Sequence, residues 1–264
     1  MRLKIYHRTE YHYEKSVHHS IQELRLIPRT EAGQLIHSWK IYAPARLTES
    51  VDAFGNLSHI FVMETNYADM ILEAEGEVET SAAYEYFDEP NSLSPYYSLQ
   101  QTDLTDPSEK MVTFFKSNLP TEPSIPQLLE LAEAVKDKIV YITGSTHFET
   151  KAAESFELGA GVCQDHAHIM LGLCRESNIP ARYVSGYFHA SSSPNLASHA
   201  WVDVCVDIDK GHWISIDVTH ACLTDERHVR LAIGRDYTSA APVKGVRSGG
   251  GKEELLARIS IQEC

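Results

Sequence analysis

The first ninety residues show a two-residue alternation of apolar and polar side chains, the periodicity of a strand with one buried face. Near the amino terminus Leu3 and Ile5 fall on one face with His7, while Lys4 and Tyr6 fall on the other. Further short runs rich in β-branched and aromatic residues follow, separated by turn-forming residues, at 22–29, 37–44, 58–65 and 70–80. The pattern predicts an antiparallel β domain over residues 1–88.

A change of texture follows this domain. Six prolines fall between residues 87 and 127, which indicates a connecting region over 89–125. Within it, Asp106 followed by Pro107 predicts the start of a short helix that runs to about Ser117. A longer helix is predicted from about Pro126, because apolar residues recur there at helical spacing.

The second half of the chain reads as one helix followed by several strands. A helix is predicted over 161–178, and strands are predicted over 181–188, 197–208 and 212–219. A helix followed by a sheet, without βαβ alternation, indicates an α+β fold. We therefore expect a second domain over 126–264 in which a helix packs on an antiparallel sheet.

The composition narrows the function classes. The 264 residues include 23 basic and 37 acidic side chains, and the net charge of −14 argues against binding to nucleic acid or to anionic membranes. No apolar stretch approaches 18 residues and the amino terminus is polar, so we expect no membrane span, no signal peptide and a cytoplasmic location. Five scattered cysteines form neither a disulfide framework nor a zinc motif, and there is no calcium-loop pattern. We therefore expect no metal or other cofactor.

Cys163 has a sequence setting that favours chemistry. Gly159 and Gly161 precede it, and it opens a predicted helix, where unpaired N–H groups and the positive end of the helix dipole favour a thiolate. A nucleophilic thiol also needs a base and a group that orients the base. Alternation places His199 and Asp217 on the polar faces of two adjacent strands, and a helix packed across that side could bring Cys163 to His199. The residues thus predict a Cys–His–Asp triad.

Other histidines and cysteines are assigned structural roles. His166 is a rival base, but it lies on the same helix as Cys163 with its side chain pointing outward, so we expect it to shape the site or to be a polar core residue. Cys174, Cys205 and Cys222 are expected to be buried hydrophobic side chains, and Cys264 to be exposed. Histidines near the amino terminus lack a partner pattern and are expected at the surface; these are His7, His12, His18 and His19.

Three separated blocks of sequence resemble the bacterial transglutaminase-like family, whose members are often described as cysteine proteases. The blocks are GVCQDHAHIMLGLCRESNIPARYVSGY, SHAWVDV and WISIDVTH, and the amino-terminal strands resemble the β-rich domain that precedes the core in that family. The resemblance implies a papain-like core, with the nucleophile on Cys163, the base on His199 and the orienting carboxylate on Asp217. Val218 stands where the family usually has proline, and Asn178 where it usually has glycine.

The chemistry that the resemblance implies is acyl transfer through a thioester. An oxyanion hole would use the Cys163 backbone N–H, with Tyr141 or the Trp201 indole as candidates for the second donor and Gln164 as a further substrate-binding candidate. We expect a cysteine-dependent hydrolase of peptide or protein amides. The alternatives are a transamidase with an amine acceptor, an acyl-CoA-dependent N-acyltransferase and a non-catalytic peptide-binding module. The sequence leaves open the natural substrate, the role of the amino-terminal domain and the oligomeric state.

Overall fold

The computed structural model describes residues 1–190 and 198–264. Its strands are β1 (Arg2–Leu24), β2 (Gln34–Tyr42), β3 (Thr48–Val51), β4 (Leu57–Met63), β5 (Tyr67–Thr80), β6 (Glu85–Phe87), β7 (Val140–Tyr141), β8 (Ala160–Gly161), β9 (Ala181–Phe188), β10 (His199–Asp207), β11 (His212–Asp217), β12 (Cys222–Leu223), β13 (His228–Gly234), β14 (Val243–Gly249) and β15 (Glu253–Glu263). Its helices are α1 (Glu109–Phe114), α2 (Ile125–Lys138), α3 (Ala152–Leu158), α4 (Cys163–Glu176) and α5 (Tyr237–Ala240), with a 3₁₀ turn at Pro95–Leu99.

The long strand β1 is the centre of a seven-stranded antiparallel sheet. Over its first half β1 pairs with β5 and β15, and over its last residues it pairs with β4 and β14. The sheet continues from β5 to β2 and from β4 to β3. Leu3 and Ile5 are fully buried while Lys4 between them is exposed, which confirms the alternation and the antiparallel β domain predicted from it.

A second antiparallel sheet lies in the later part of the chain. Its strands run in the order β12–β11–β10–β9–β13, and β6 pairs with β11. The helix α4 packs on this sheet through a buried cluster that includes Ala167 and Leu171 from the helix and Val202, Val204 and Ile216 from the strands. Side chains of α2 and α3 join the same cluster. The predicted α+β fold, with a helix on an antiparallel sheet, is confirmed.

The two sheets are joined by an apolar cluster and by buried ions. Leu3 and Ile261 of the first sheet share a buried cluster with Tyr187 and Val229 of the second. Beside it, the buried Asp203 carboxylate accepts hydrogen bonds from Arg230 Nη2 at 2.6 Å and from Arg182 Nε at 2.9 Å. Arg230 also pairs with Glu31, which follows β1. These contacts fix the first sheet against the edge of the second.

The division of the chain between the two sheets differs from the predicted one. The strands β14 and β15 pair with β1, so residues 243–263 complete the first sheet, although they were expected in the domain over 126–264. Conversely, β6 pairs with β11 of the second sheet, although it was expected in the domain over 1–88. Alternation predicts that a segment is a strand, but the partner is set by long-range register, which the pattern does not contain.

The region 89–125 contains the short helix that was expected there. Its cap is Ser108, whose hydroxyl accepts a hydrogen bond from the Met111 N–H at 3.2 Å, and not Asp106. Upstream, the Gln101 amide donates to the Gly172 carbonyl oxygen at 2.9 Å, which holds this region against α4. Within residues 1–190 and 198–264, no helix combines the length and apolar character that crossing a membrane requires.

Candidate active site

Cys163 is the first residue of the largely buried helix α4 and is itself almost fully buried. The strand β8 leads into it, and a Cβ at Gly161 would come within 2.6 Å of the Asp165 Cβ, so only glycine fits this turn. The Asp165 carboxylate accepts hydrogen bonds from the Val162 N–H at 2.8 Å and from the Thr146 hydroxyl at 2.6 Å. This cap fixes the helix start and leaves Cys163 9 % exposed.

His199 and Asp217 lie at one end of the second sheet. His199 is the first residue of β10 and Asp217 is the last residue of β11, and the two strands are antiparallel neighbours. Their side chains point to the face opposite Ala200 and Val202, which pack against α4. The expectation that α4 crosses the face bearing His199 and Asp217 was therefore wrong, because the aliphatic face offers the apolar surface that a buried helix requires.

The three side chains instead lie where β10 begins and β11 ends. The first turn of α4 lies beside the start of β10, and Cys163 Sγ is 4.0 Å from the Ser198 carbonyl oxygen. The thiol adjoins the His199 imidazole, and the negative charge of its thiolate form would stabilise the imidazolium. Cys163 thus lies beside a histidine that belongs to the opposite face of the sheet.

Asp217 fixes the protonation of His199. His199 Nε2 lies 2.8 Å from Asp217 Oδ2, and both side chains are buried. Burial disfavours the imidazolium, but the charge and the hydrogen bond of Asp217 outweigh it and raise the pKa of His199 to about 10. Burial likewise opposes ionisation of Asp217, yet the charge of His199 and its hydrogen bonds hold the carboxyl pKa well below its usual range. The pair leaves His199 Nδ1 as the nitrogen that can exchange a proton with the thiol.

Two further histidines share the Asp217 carboxylate, and sequence reasoning missed both roles. His220 Nδ1 lies 2.6 Å and His228 Nε2 lies 3.0 Å from Asp217 Oδ2. The Phe188 ring packs over all three imidazoles, with centroid distances of 4.7–5.2 Å. The sequence offered one signal for these contacts, the position of His220 three residues after Asp217. It offered none for His228, which lies on a separate strand.

The same atoms have the approximate spacing of metal ligands. His199 Nε2, Asp217 Oδ2 and His228 Nε2 all lie within 4.8 Å of one another. The two nitrogen–oxygen separations, 2.8 and 3.0 Å, are hydrogen-bond lengths. Ligands in a tetrahedral zinc site, with bonds of about 2.0–2.1 Å, would lie roughly 3.3 Å apart. The present spacing therefore suits shared protons better than a bound ion.

Tyr141 and Gln164, two of the further candidates, lie near the nucleophile. The strand β7 pairs with β8, which places Tyr141 opposite Gly161, two residues before Cys163. Partial burial, with smaller contributions from the charges of Cys163 and Asp165, raises the pKa of the Tyr141 hydroxyl to about 12. Gln164 donates its amide to the Phe148 carbonyl oxygen at 3.1 Å, so it braces a neighbouring loop.

Trp201, the third candidate, lies in the core. It is fully buried on the face of β10 opposite α4, in a cluster with Val184 and Ile233, and its ring centroid is 6.0 Å from that of His199. Its indole nitrogen has no partner among the described residues. This position makes Trp201 a support beneath His199 rather than a donor on the side of Cys163.

The rival base and the amino-terminal histidines are also located. Both nitrogens of buried His166 have partners at 3.0 Å, the Thr219 hydroxyl and the Ile139 carbonyl oxygen, so His166 is the polar core residue expected. The expectation of a surface position was wrong for His7. Its Nδ1 lies 2.8 Å from the Tyr187 hydroxyl, and burial lowers its pKa to about 4.

The other four cysteines differ from Cys163 in their surroundings. Cys174 and Cys205 are buried as expected, Cys222 is only half-buried, and Cys264 is exposed. Burial raises the thiol pKa of Cys174 to about 12, and those of Cys205 and Cys222 to about 11. None of the four lies at the start of a helix beside a histidine that is paired with a carboxylate.

Comparisons with known proteins agree with this architecture. An uncharacterized protein of Mycobacterium leprae (strain TN) is 27 % identical over 285 residues, covering 98 % of each chain. An uncharacterized protein of Mycobacterium tuberculosis (strain ATCC 25618 / H37Rv) is 28 % identical over 275 residues, covering 93 % of this chain and 87 % of the relative. The crystal structure of a candidate cysteine protease from Cytophaga hutchinsonii matches with a TM-score of 0.79 at 21 % identity, covering 99 % of this chain and 90 % of the other.

Family models match both parts of the chain. The model of the bacterial transglutaminase-like N-terminal region matches residues 3–79, which span β1 to β5 of the first sheet. The model of the transglutaminase-like superfamily matches residues 114–218, from the end of α1 through Cys163, His199 and Asp217. Residues 114–218 are therefore a transglutaminase-like core, preceded over residues 3–79 by a bacterial transglutaminase-like N-terminal region.

Proposed function

We propose that the protein is a cysteine-dependent hydrolase of peptide or protein amides that acts through Cys163, His199 and Asp217. The observation that carries the proposal is the buried pair of His199 and Asp217, at 2.8 Å, beside a thiol at a helix start. A histidine held largely as imidazolium beside a thiol supports a thiolate–imidazolium pair, which is the reactive form of a cysteine nucleophile.

In the proposed reaction the Cys163 thiolate attacks the amide carbonyl carbon, and the carbonyl oxygen becomes an oxyanion. The first-turn N–H of Cys163 has no partner within its helix and is available to that oxyanion. The Tyr141 hydroxyl, which keeps its proton at neutral pH, is our candidate for the second donor. His199 then gives its Nδ1 proton to the leaving amine as the carbon–nitrogen bond breaks, and a thioester remains on Cys163.

Water completes the cycle. His199, now neutral, takes a proton from a water molecule whose oxygen attacks the thioester carbon. The carboxylic acid product leaves, the Cys163 thiolate forms again, and His199 is again the imidazolium. An amine that reaches the thioester before water would give a new amide instead, so hydrolase and transamidase differ in the acceptor and not in the triad.

The test compares the turnover of cysteine variants. The wild type, Cys163→Ala and the control Cys222→Ala are incubated with a peptide library, with and without a labelled primary amine, and released and amine-bearing products are identified by mass spectrometry. We expect the wild type and C222A to release the same hydrolysis products and C163A to release none. Full activity in C163A would overturn the proposal, and amine incorporation in excess of hydrolysis would assign the transamidase instead.

A further inference from the structure

The Asp217 carboxylate has a second buried partner that approaches from a distant part of the chain. His228 is the first residue of β13, eleven positions after Asp217, and its side chain is 2 % exposed. Its Nε2 lies 3.0 Å from the same oxygen, Oδ2, that lies 2.8 Å from His199 Nε2. Asp217 is therefore held between two imidazoles that belong to different strands.

The surroundings of His228 put a proton on the nitrogen that faces Asp217. The Asp225 backbone N–H points at His228 Nδ1 at 3.1 Å, so in neutral His228 this nitrogen accepts and Nε2 carries the proton. If His228 is protonated, Nε2 also carries a proton, and Nδ1 can donate to Asp225 Oδ1, which lies 3.1 Å away. In both forms Nε2–H donates to Asp217.

His228 is also fixed from its other sides. Asp225 is held by a bidentate pair with Arg227, at 2.6–3.0 Å. The Phe188 ring lies 4.8 Å from the His228 ring, and the Trp201 ring packs edge-on at 5.3 Å. An imidazole enclosed in this way cannot turn away from the carboxylate without disturbing the core.

His220 also contacts Asp217 Oδ2, at 2.6 Å, and the Phe188 ring, at 4.7 Å, but it differs from His228 in its exposure and in its place in the chain. Its side chain is 43 % exposed, and it lies only three residues from Asp217 in the turn that follows β11. Its own backbone N–H donates to Asp217 Oδ1 at 3.2 Å, so its contact is part of the local turn. His228, by contrast, connects the end of β11 to the start of β13 through its contact with Asp217.

We propose that His228 is a positioning residue that holds the Asp217 carboxylate in line with His199 Nε2. This inference rests on the proposed function of Cys163, His199 and Asp217. Asp217 is the last residue of its strand, and its carboxylate is also contacted by the exposed His220 in the turn that follows. The donor on His228 Nε2 adds a buried contact from a separate strand, which keeps the carboxylate beside the imidazolium of His199.

Two matched substitutions separate positioning from packing. In His228→Gln the amide nitrogen can stand where Nε2 stood, whereas in His228→Asn the shorter side chain cannot reach Asp217. The rate of alkylation of Cys163 by iodoacetamide at pH 6 reports the thiolate–imidazolium pair without any knowledge of the substrate. His18→Asn, on the exposed side of the first sheet, controls for the exchange itself.

We expect H228N to alkylate about tenfold to a hundredfold more slowly than the wild type, the scale of one hydrogen bond to a charged group. H228Q should stay within about threefold of the wild type, as should H18N. Equal rates in H228N and the wild type would overturn the inference, and so would an equal loss in H228N and H228Q. A wild-type Cys163 that alkylates no faster than a free thiol at pH 6 would instead count against the proposed function.

A measurement on the unaltered protein keeps the inference open to refutation if H228N does not fold. Nitrogen-15 NMR of histidine-labelled protein distinguishes protonated from bare ring nitrogens. We expect His228, assigned from its absence in the H228Q spectrum, to carry a proton on Nε2 across pH 6–8. A bare Nε2 on His228 could not donate to Asp217 and would overturn the positioning role.

Discussion

His168 makes the folded state sensitive to acid. It lies fully buried in the middle of α4, where its Nε2 accepts the Tyr237 N–H at 3.1 Å, so its proton is on Nδ1. Nδ1 has no partner among the described residues. Burial lowers the pKa of His168 to about 4, with the charge of Asp236 opposing and that of Arg175 adding to the effect. A second proton therefore binds far less readily in the folded chain than in the unfolded one.

The sign and size of the effect follow from these pKa values. The folded-state pKa lies below the unfolded value of 6.5, so the stabilisation is fully present above pH 6.5 and is lost as the pH falls through about 4. At about 1.36 kcal/mol per pKa unit, the full loss for His168 is about 3 kcal/mol, of which about 2 kcal/mol is gone at pH 5. His7, whose pKa is also about 4 because it is buried, adds a loss of the same sign.

Urea unfolding at pH 7.5 and at pH 5.0 tests this reasoning with His168→Gln. The glutamine amide oxygen can accept the Tyr237 N–H in place of Nε2, but the side chain does not titrate. We expect the free energy of unfolding to fall between the two pH values by about 2 kcal/mol less in H168Q than in the wild type. His18→Gln, with an exposed side chain, should behave like the wild type. An equal pH dependence in H168Q and the wild type would refute the assignment of acid sensitivity to His168.

Three further substitutions test other parts of the structure. Asp217→Asn removes the counter-charge of the base, and we expect peptide hydrolysis to fall by about 10⁴-fold in kcat, the loss known for the equivalent change in a serine triad. A loss below tenfold would contradict the role. Asp203→Asn removes the negative charge that faces the buried Arg230 guanidinium, and urea unfolding should show that the free energy of unfolding falls by about 3–5 kcal/mol. Gly186→Ala places a Cβ against the Val229 carbonyl oxygen, and thermal unfolding should show destabilisation of about 1–3 kcal/mol. An unchanged Tm would show that β9 and β13 can move apart there without a loss of stability.

The sequence predicted the elements of the fold better than their partners. Alternation identified β1 because its buried residues recur at every second position over most of 23 residues. The same kind of pattern cannot show that residues 243–263 return to β1, more than 200 positions earlier in the chain. That pairing depends on which edges remain free after β5 and β4 have paired with β1, and free edges are a property of the assembled sheet.

The candidate site was predicted in its members but not in its geometry. The glycine turn before Cys163 and the polar alternation of β10 and β11 identified the three side chains of the proposed triad. They did not indicate on which face of the sheet the helix packs. His228 was missed for a related reason, since its approach to Asp217 depends on the pairing of β13 with β9, which brings His228 opposite Phe188.

The position of the site at the start of β10 and the end of β11 separates two requirements that would conflict on one face of the sheet. The helix that carries Cys163 requires an aliphatic surface, which Val202 and Val204 provide. The proposed base requires a charged partner, and a carboxylate such as Asp217 would be strongly disfavoured within that aliphatic cluster. Because alternate residues of a strand point to opposite faces, the sheet itself lies between the two environments, and they can meet only where the strands end. His199 is the first residue of β10 and Cys163 the first of α4, so each can reach past its own element while the rest of that element stays packed.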